Sequence, residues 1–173
     1  GTIGLCTIMC AKAAGAAKVI ALEMSSARKA KAKEVGASVV LDPSQCDALE
    51  EIRALTAGLG ADVSFECIGN KHTAKLAIDT IRKAGKCVLV GIFEEPSEFN
   101  FFELVSTEKQ VLGALAYNGE FADVIAFIAD GRLDIRPLVT GRIGLEQIVE
   151  LGFEELVNNK EENVKIIVSP GVR

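Results

Sequence analysis

Short β-branched runs alternate with longer segments of helical period along the 173-residue chain, and no other feature constrains the fold as much. Extended structure is predicted at residues 18–23 (KVIALE), 38–41 (SVVL), 62–67 (DVSFEC), 86–92 (KCVLVGI), 111–117 (VLGALAY) and 164–168 (VKIIV). Most of these runs are almost continuously apolar, as strands are when helices cover both faces of a parallel sheet. Helical period occupies residues 4–14, 26–35, 45–57, 71–83, 121–129 and 145–158. The expected architecture is α/β, a doubly wound parallel sheet.

Local punctuation agrees with those boundaries. Ser44 followed by Asp47 has the form of a capping box, and Asn70 is placed to cap the helix beginning near Lys71. Gly15, Gly36, Gly58, Gly85 and Gly131 each fall where a helical pattern ends, the place for a left-handed residue. Leu145, Ile148, Val149, Phe153 and Leu156 form one apolar stripe, which predicts a final helix packed on the core. Only residues 94–100 (EEPSEFN) read as a long polar connection.

Composition narrows the function classes. Acidic residues outnumber basic ones by 24 to 19, a formal charge of -5, which is the wrong sign for binding a phosphate backbone. No nucleic-acid partner is expected. With His72 as its one histidine, the chain cannot build a His-rich metal centre by itself. The five cysteines, Cys6, Cys10, Cys46, Cys67 and Cys87, lack a C-x-x-C pair, which suits reduced thiols in a cytoplasmic protein. Cys6 and Cys10 share a helical face and read either as half of a metal site or as small buried hydrophobes. No apolar run reaches the ~20 residues of a membrane span, so no membrane partner is expected.

The chemistry-bearing residues begin with Gly1-Thr2-Ile3-Gly4, which lead into an apolar helix, and with Glu23, which ends the next predicted strand. Glycines there let a backbone approach a pyrophosphate, a helix N-terminus supplies N–H groups, and an acid after the second strand accepts ribose hydroxyls. The pattern has the form of the tail of a dinucleotide fingerprint without its first glycine and first strand; a glycine pair of this kind also serves plain packing. If Glu23 lies at the ribose, it faces the 2′-phosphate of NADP, and two unit charges near 4 Å repel by ~4 kcal/mol at an effective dielectric of 20. NAD is therefore expected over NADP. Arg28 either reaches the ribose or adenine or is a solvated cation beside Glu23.

Taken together, residues 1–4 (GTIG), 19–23, 62–69 (DVSFECIG), 86–91, 109–119 (KQVLGALAYNG), 137–143 (PLVTGRI) and 153–168 (FEELVNNKEENVKIIV) resemble the coenzyme domain of zinc-dependent medium-chain alcohol dehydrogenases, nearest the butanediol and polyol (sorbitol) branch. The resemblance implies a Rossmann fold lacking its first strand across residues 1–173 with a C-terminal tail, the N-terminal catalytic zinc domain being absent from the chain. It makes Gly1 and Gly4 the second and third fingerprint glycines, with Thr2 where the family has Pro or Gly, and puts Ile3 beneath the nicotinamide. Glu23 and Arg28 fall at the adenosine ribose, Cys67 and Ile68 flank the adenosine, the backbone of Val90, Ala114 and Ala116 holds the carboxamide, and Lys165 reaches the pyrophosphate. Buried sheet explains the valine and alanines equally well, and an exposed strand cation explains Lys165.

The implied reaction is hydride transfer between a secondary alcohol or vicinal diol and NAD, with zinc bound outside this chain and no catalytic or metal residue within it. A cytoplasmic homodimer or homotetramer is implied, with residues 100–105 (NFFELV) and 111–117 as apolar edge material. Without a first strand, the second and fourth strands face a gap. It is filled by further chain, by closure of the two strands on each other, or by a strand from another copy. The competing readings are a stand-alone NAD(H)-binding module, a zinc-free quinone-reductase-like relative, and a methyltransferase using S-adenosylmethionine.

Overall fold

The computed structural model describes residues 1–159 and 161–171; Lys160, within the segment 153–168, and the last two residues of the tail lie outside them. In chain order the elements are α1 (Thr2–Ala13), β1 (Ile20–Leu22), α2 (Ser26–Glu34), β2 (Val39–Leu41), α3 (Ala48–Leu55), β3 (Ala61–Glu66), α4 (Lys71–Asp79), β4 (Ile81–Leu89), α5 (Phe101–Thr107), β5 (Gln110–Gly113), α6 (Phe121–Ala129), β6 (Val139–Gly144), α7 (Glu155–Asn158) and β7 (Lys165–Ser169). Every strand pairing is parallel, and helices intervene between paired strands. The α/β expectation is met.

The strands form three sheets, in the orders β1–β2, β3–β4–β5 and β6–β7. Two compact units result, one of residues 1–41 together with the chain from Glu120 onward, the other of residues 42–119. In the first unit, Leu5, Ile8 and Met9 recur at helical spacing on α1 and are buried with Ala32, Val35, Ala37, Leu133 and Leu138. In the second, Cys87 is fully buried with Ile78 and Ile81, and Leu89, Leu104 and Val111 pack against them.

Several expectations are corrected. Asp47, not Ser44, caps α3 by accepting from Leu49 and Glu50, while Ser44 donates to Asp42. α4 ends at Asp79 and β4 already begins at Ile81, so the predicted helix over 71–83 is cut short. Gly15, Gly36, Gly58 and Gly131 take positive φ as expected, but beyond α4 it is Ala84 at φ 55° that turns left-handed, and Gly85 does not. Gly85 is required for another reason, since a Cβ there would lie 2.8 Å from the Arg82 carbonyl oxygen. Residues 101–107, expected as edge material, form helix α5 with Asn100 as its N-cap.

Strand β6 carries no apolar run to announce it, because Thr140, Gly141 and Arg142 interrupt the sequence VTGRIG. The final helical segment is not one α-helix either. It passes through a 3₁₀ turn (Leu145–Gln147) and a π-helical stretch (Ile148–Glu154) before α7. Wider i→i+5 turns do not keep a 3.6-residue stripe on one face. Accordingly Leu145, Val149, Phe153 and Leu156 are exposed, while Gly152 is buried against Ile143.

Candidate functional site

The first unit assembles a group of charges at the N-terminal end of α1. Gly1 is the N-cap of this 12-residue helix, no side chain caps it, and its first turn holds no acid. By contrast Ser25, Asp47, Asn70 and Asn100 cap α2 to α5 with their side chains. The first N–H groups of α1 therefore lack the usual side-chain acceptor, at the positive end of the helix dipole. Thr2 Oγ1 donates to the Val164 carbonyl at 2.8 Å, which ties the start of α1 to the residue preceding Lys165 on β7. Ile3, on the same first turn, leaves 53% of its surface exposed, a flat apolar platform beside polar groups.

Glu23 follows β1 directly, and its backbone N–H extends the ladder to the Leu41 carbonyl. One carboxylate oxygen, Oε1, accepts from the backbone N–H of Met24 and of Ser25, each at 3.0 Å. The other, Oε2, lies 3.7 Å from the Gly1 nitrogen and 3.9 Å from Arg28 Nε. Half of the carboxylate is thus spent fixing its own orientation, and half faces the α1 terminus and Arg28. Arg28 donates through Nη2 to Glu161 Oε1 at 2.9 Å, while its Nε is buried with no hydrogen-bond partner among the described residues. A buried orphan donor of this kind costs about 1–3 kcal/mol. Sequence reading found Glu23 and Arg28 but missed Glu161, because 133 positions separate the ion-paired residues and no spacing rule reaches that far.

The second unit holds Cys67, Ile68, Val90, Ala114 and Ala116. Glu66, 3% exposed, organises the loop after β3: Oε1 accepts from the N–H groups of Ile68 and Gly69 and from Thr73 Oγ1, at 2.9, 3.0 and 2.7 Å. Its carbonyl accepts from the N–H groups of Val90 and Gly91. Glu66 thus builds the loop, and Asn70 caps α4 as expected. A Cβ on Gly91 would sit 2.5 Å from Glu66 Oε2, so backbone packs directly against this carboxylate. Ile68 is exposed and Cys67 half-buried on that loop.

The structure divides the labour of the backbone groups. Val90 N–H donates to the Glu66 carbonyl and Ala114 N–H to the Leu89 carbonyl. What these two residues can offer an amide is therefore C=O, an acceptor. Ala116, exposed and at φ 54°, turns its peptide away from the strand direction.

Other candidates do not converge. Among the described residues no three His, Cys, Asp or Glu side chains could hold a metal ion. His72 is exposed on the first turn of α4, where its N–H donates to Asn70. Burial pushes the Cys6 and Cys87 thiols up from their ordinary value of 9.0. In the second unit a cavity of about 610 Å³ is lined by Ile78, Leu89, Phe99, Leu104 and Val111, and none of the expected cofactor residues borders it.

A family model described as zinc-binding dehydrogenase matches residues 2–130. The (R,R)-butanediol dehydrogenase of Neisseria gonorrhoeae is 40% identical over 99% of this chain and 49% of its own length. Among solved structures, the 2R,3R-butanediol dehydrogenase of Bacillus subtilis superposes with a TM-score of 0.93 at 37% identity, covering 99% of this chain and 49% of that one. A zinc-binding dehydrogenase structure from Sinorhizobium meliloti, bound to NADP, gives a TM-score of 0.85 at 28% identity over 98% of this chain and 50% of that one. The chain spans about half the length of the relatives it matches.

Proposed function

This chain belongs to the zinc-binding dehydrogenase family, and on that premise we propose that it is the NAD-binding half of an oxidoreductase moving a hydride between a secondary alcohol or vicinal diol and NAD. The observation that carries the reading is the grouping of the uncapped α1 terminus, the outward half of the Glu23 carboxylate and the orphan Arg28 Nε. An anionic, hydroxyl-bearing ligand meets the helix terminus with its phosphates and the carboxylate with its hydroxyls, and a dinucleotide is both.

When bound, NAD supplies the hydride acceptor; the chain's own residues bind and orient it. Glu23 Oε2 accepts from the adenosine ribose hydroxyls, and the N–H groups of the α1 first turn, with Gly1 and Gly4 leaving the approach open, receive the pyrophosphate. Lys165 adds a positive charge for the same phosphates, and Arg28 lies over the adenosine. Ile3 offers an apolar surface to the nicotinamide. For the second unit the resemblance alone assigns Cys67, Ile68, Val90, Ala114 and Ala116 to the cofactor, and the carbonyls of Val90 and Ala114 are acceptors suited to an amide NH₂.

The relative from Sinorhizobium meliloti is bound to NADP. Glu23, by its charge, turns this chain toward NAD. The proposal includes an assembly of identical subunits through β5, the edge of its sheet, and the exposed Phe101, Phe102, Val105 and Leu115. It also includes action in the cytoplasm, in keeping with five free cysteines. No helix among the described residues is long and apolar enough to cross a membrane. Fluorescence titration with NADH tests the reading: enhanced nicotinamide emission that NAD reverses supports it, and no change in emission with NADH rejects it.

A further inference from the structure

We propose that Glu161 sets nucleotide specificity together with Glu23, by holding the Arg28 guanidinium between two carboxylates so that it does not serve as a 2′-phosphate receptor. This rests on the adenosine reading of the first unit. Arg28 on its own points the other way, because a guanidinium fork matches phosphate geometry and an arginine beside the ribose is the side chain that accommodates NADP. A chain with Glu23 and a free Arg28 carries one charge of each sign at that spot, which leaves the preference between the two nucleotides weakly decided.

Glu161 changes the balance. Its Oε1 takes the Nη2 of Arg28 at 2.9 Å, the shorter of the two ion pairs, while Nε stays 3.9 Å from Glu23 Oε2. With Glu161 in place the guanidinium charge is already answered by carboxylates on two sides, so it draws a 2′-phosphate less while leaving the neutral 2′-hydroxyl of NAD unopposed. Only a quarter of the Arg28 side chain is exposed, so its stem is held by packing and the two carboxylates meet a fixed guanidinium. Half of the Glu161 side chain is open to solvent, so solvent screens the pair and its loss costs the fold little. What Glu161 governs is the charge that an incoming phosphate meets.

The test is calorimetric titration of the protein and its Glu161→Gln variant with NAD and with NADP, at low and at high salt. Glutamine keeps the size and an oxygen acceptor and removes the charge. The ratio of the NADP to the NAD dissociation constant is expected to fall about three- to fivefold in the variant, with NAD itself nearly unchanged and the difference shrinking as salt rises. Glu23→Gln is the reference, and the double variant is expected to be non-additive because both carboxylates act through Arg28. An unchanged ratio in Glu161→Gln overturns the proposal, as does a parallel loss of both nucleotides, which marks a merely structural role. If the unaltered protein binds neither NAD nor NADP, it is the adenosine reading that fails, and that result is separate from either outcome in the variant.

Discussion

At the scale of single residues, the account turns on what Glu23 does with its two oxygens. Two backbone N–H groups already hold Oε1, so a ligand meets a carboxylate whose orientation is set before binding. Hydrogen bonds to a charged group are worth about 1.5–3 kcal/mol, so Glu23→Gln is expected to weaken NAD binding roughly ten- to a hundredfold while strengthening that of NADP, whose 2′-phosphate no longer meets a negative charge. Titration of the variant with each nucleotide checks this. The cysteines give a second expectation. Cys10 is exposed, whereas burial raises the Cys6 and Cys87 thiols. N-Ethylmaleimide at neutral pH should modify Cys10 first and Cys87 last, in an order that mass spectrometry reads directly. Because the fold favours the neutral thiols, the stability they contribute is present below pH 9.0 and is lost as pH rises through their raised values.

At the scale of elements, caps and turns carry the measurable consequences. Asn70 Oδ1 accepts from the N–H groups of His72 and Thr73, each at 3.0 Å, so Asn70→Ala should destabilise the protein by about 1 kcal/mol in urea unfolding. The Arg136 guanidinium lowers the Asp134 carboxyl from 3.8 to about 2 at the turn before β6. Whatever this pair adds to stability is present above pH 3.8 and goes as the pH falls toward 2, and the Asp134 carboxyl resonance should titrate there.

The sequence legibly places β1 to β5 and β7, since apolar runs between helical stretches have one interpretation in a parallel sheet. It hides β6, where glycine and arginine break the run, and α5, whose Phe101 and Phe102 read as apolar edge material. The π-helical turn at Gly152 is likewise invisible to a 3.6-residue count, and it is what exposes the apolar stripe. At the site, Glu23 is legible from its distance to the glycines. The partner of Arg28 and the commitment of the Val90 and Ala114 N–H groups are not, because tertiary contacts decide both.

At the scale of the whole molecule, the open edge of β5 and the exposed apolar side chains Phe101, Phe102 and Leu115 call for a cover of the same kind. Sedimentation velocity should give a dimer or larger assembly, and replacing Phe102 and Leu115 by charged residues should shift it to the monomer; a monomer before substitution would count against the proposed contact. The central claim is narrower and more directly accessible: the α1 terminus, Glu23 and Arg28 form an adenosine site that takes NAD. Calorimetric titration of the protein with NAD, NADP and S-adenosylmethionine decides it. The account predicts saturable binding of NAD, at least about tenfold weaker binding of NADP, and none of S-adenosylmethionine. Tighter binding of NADP than of NAD, or binding of the methyl donor alone, would contradict it.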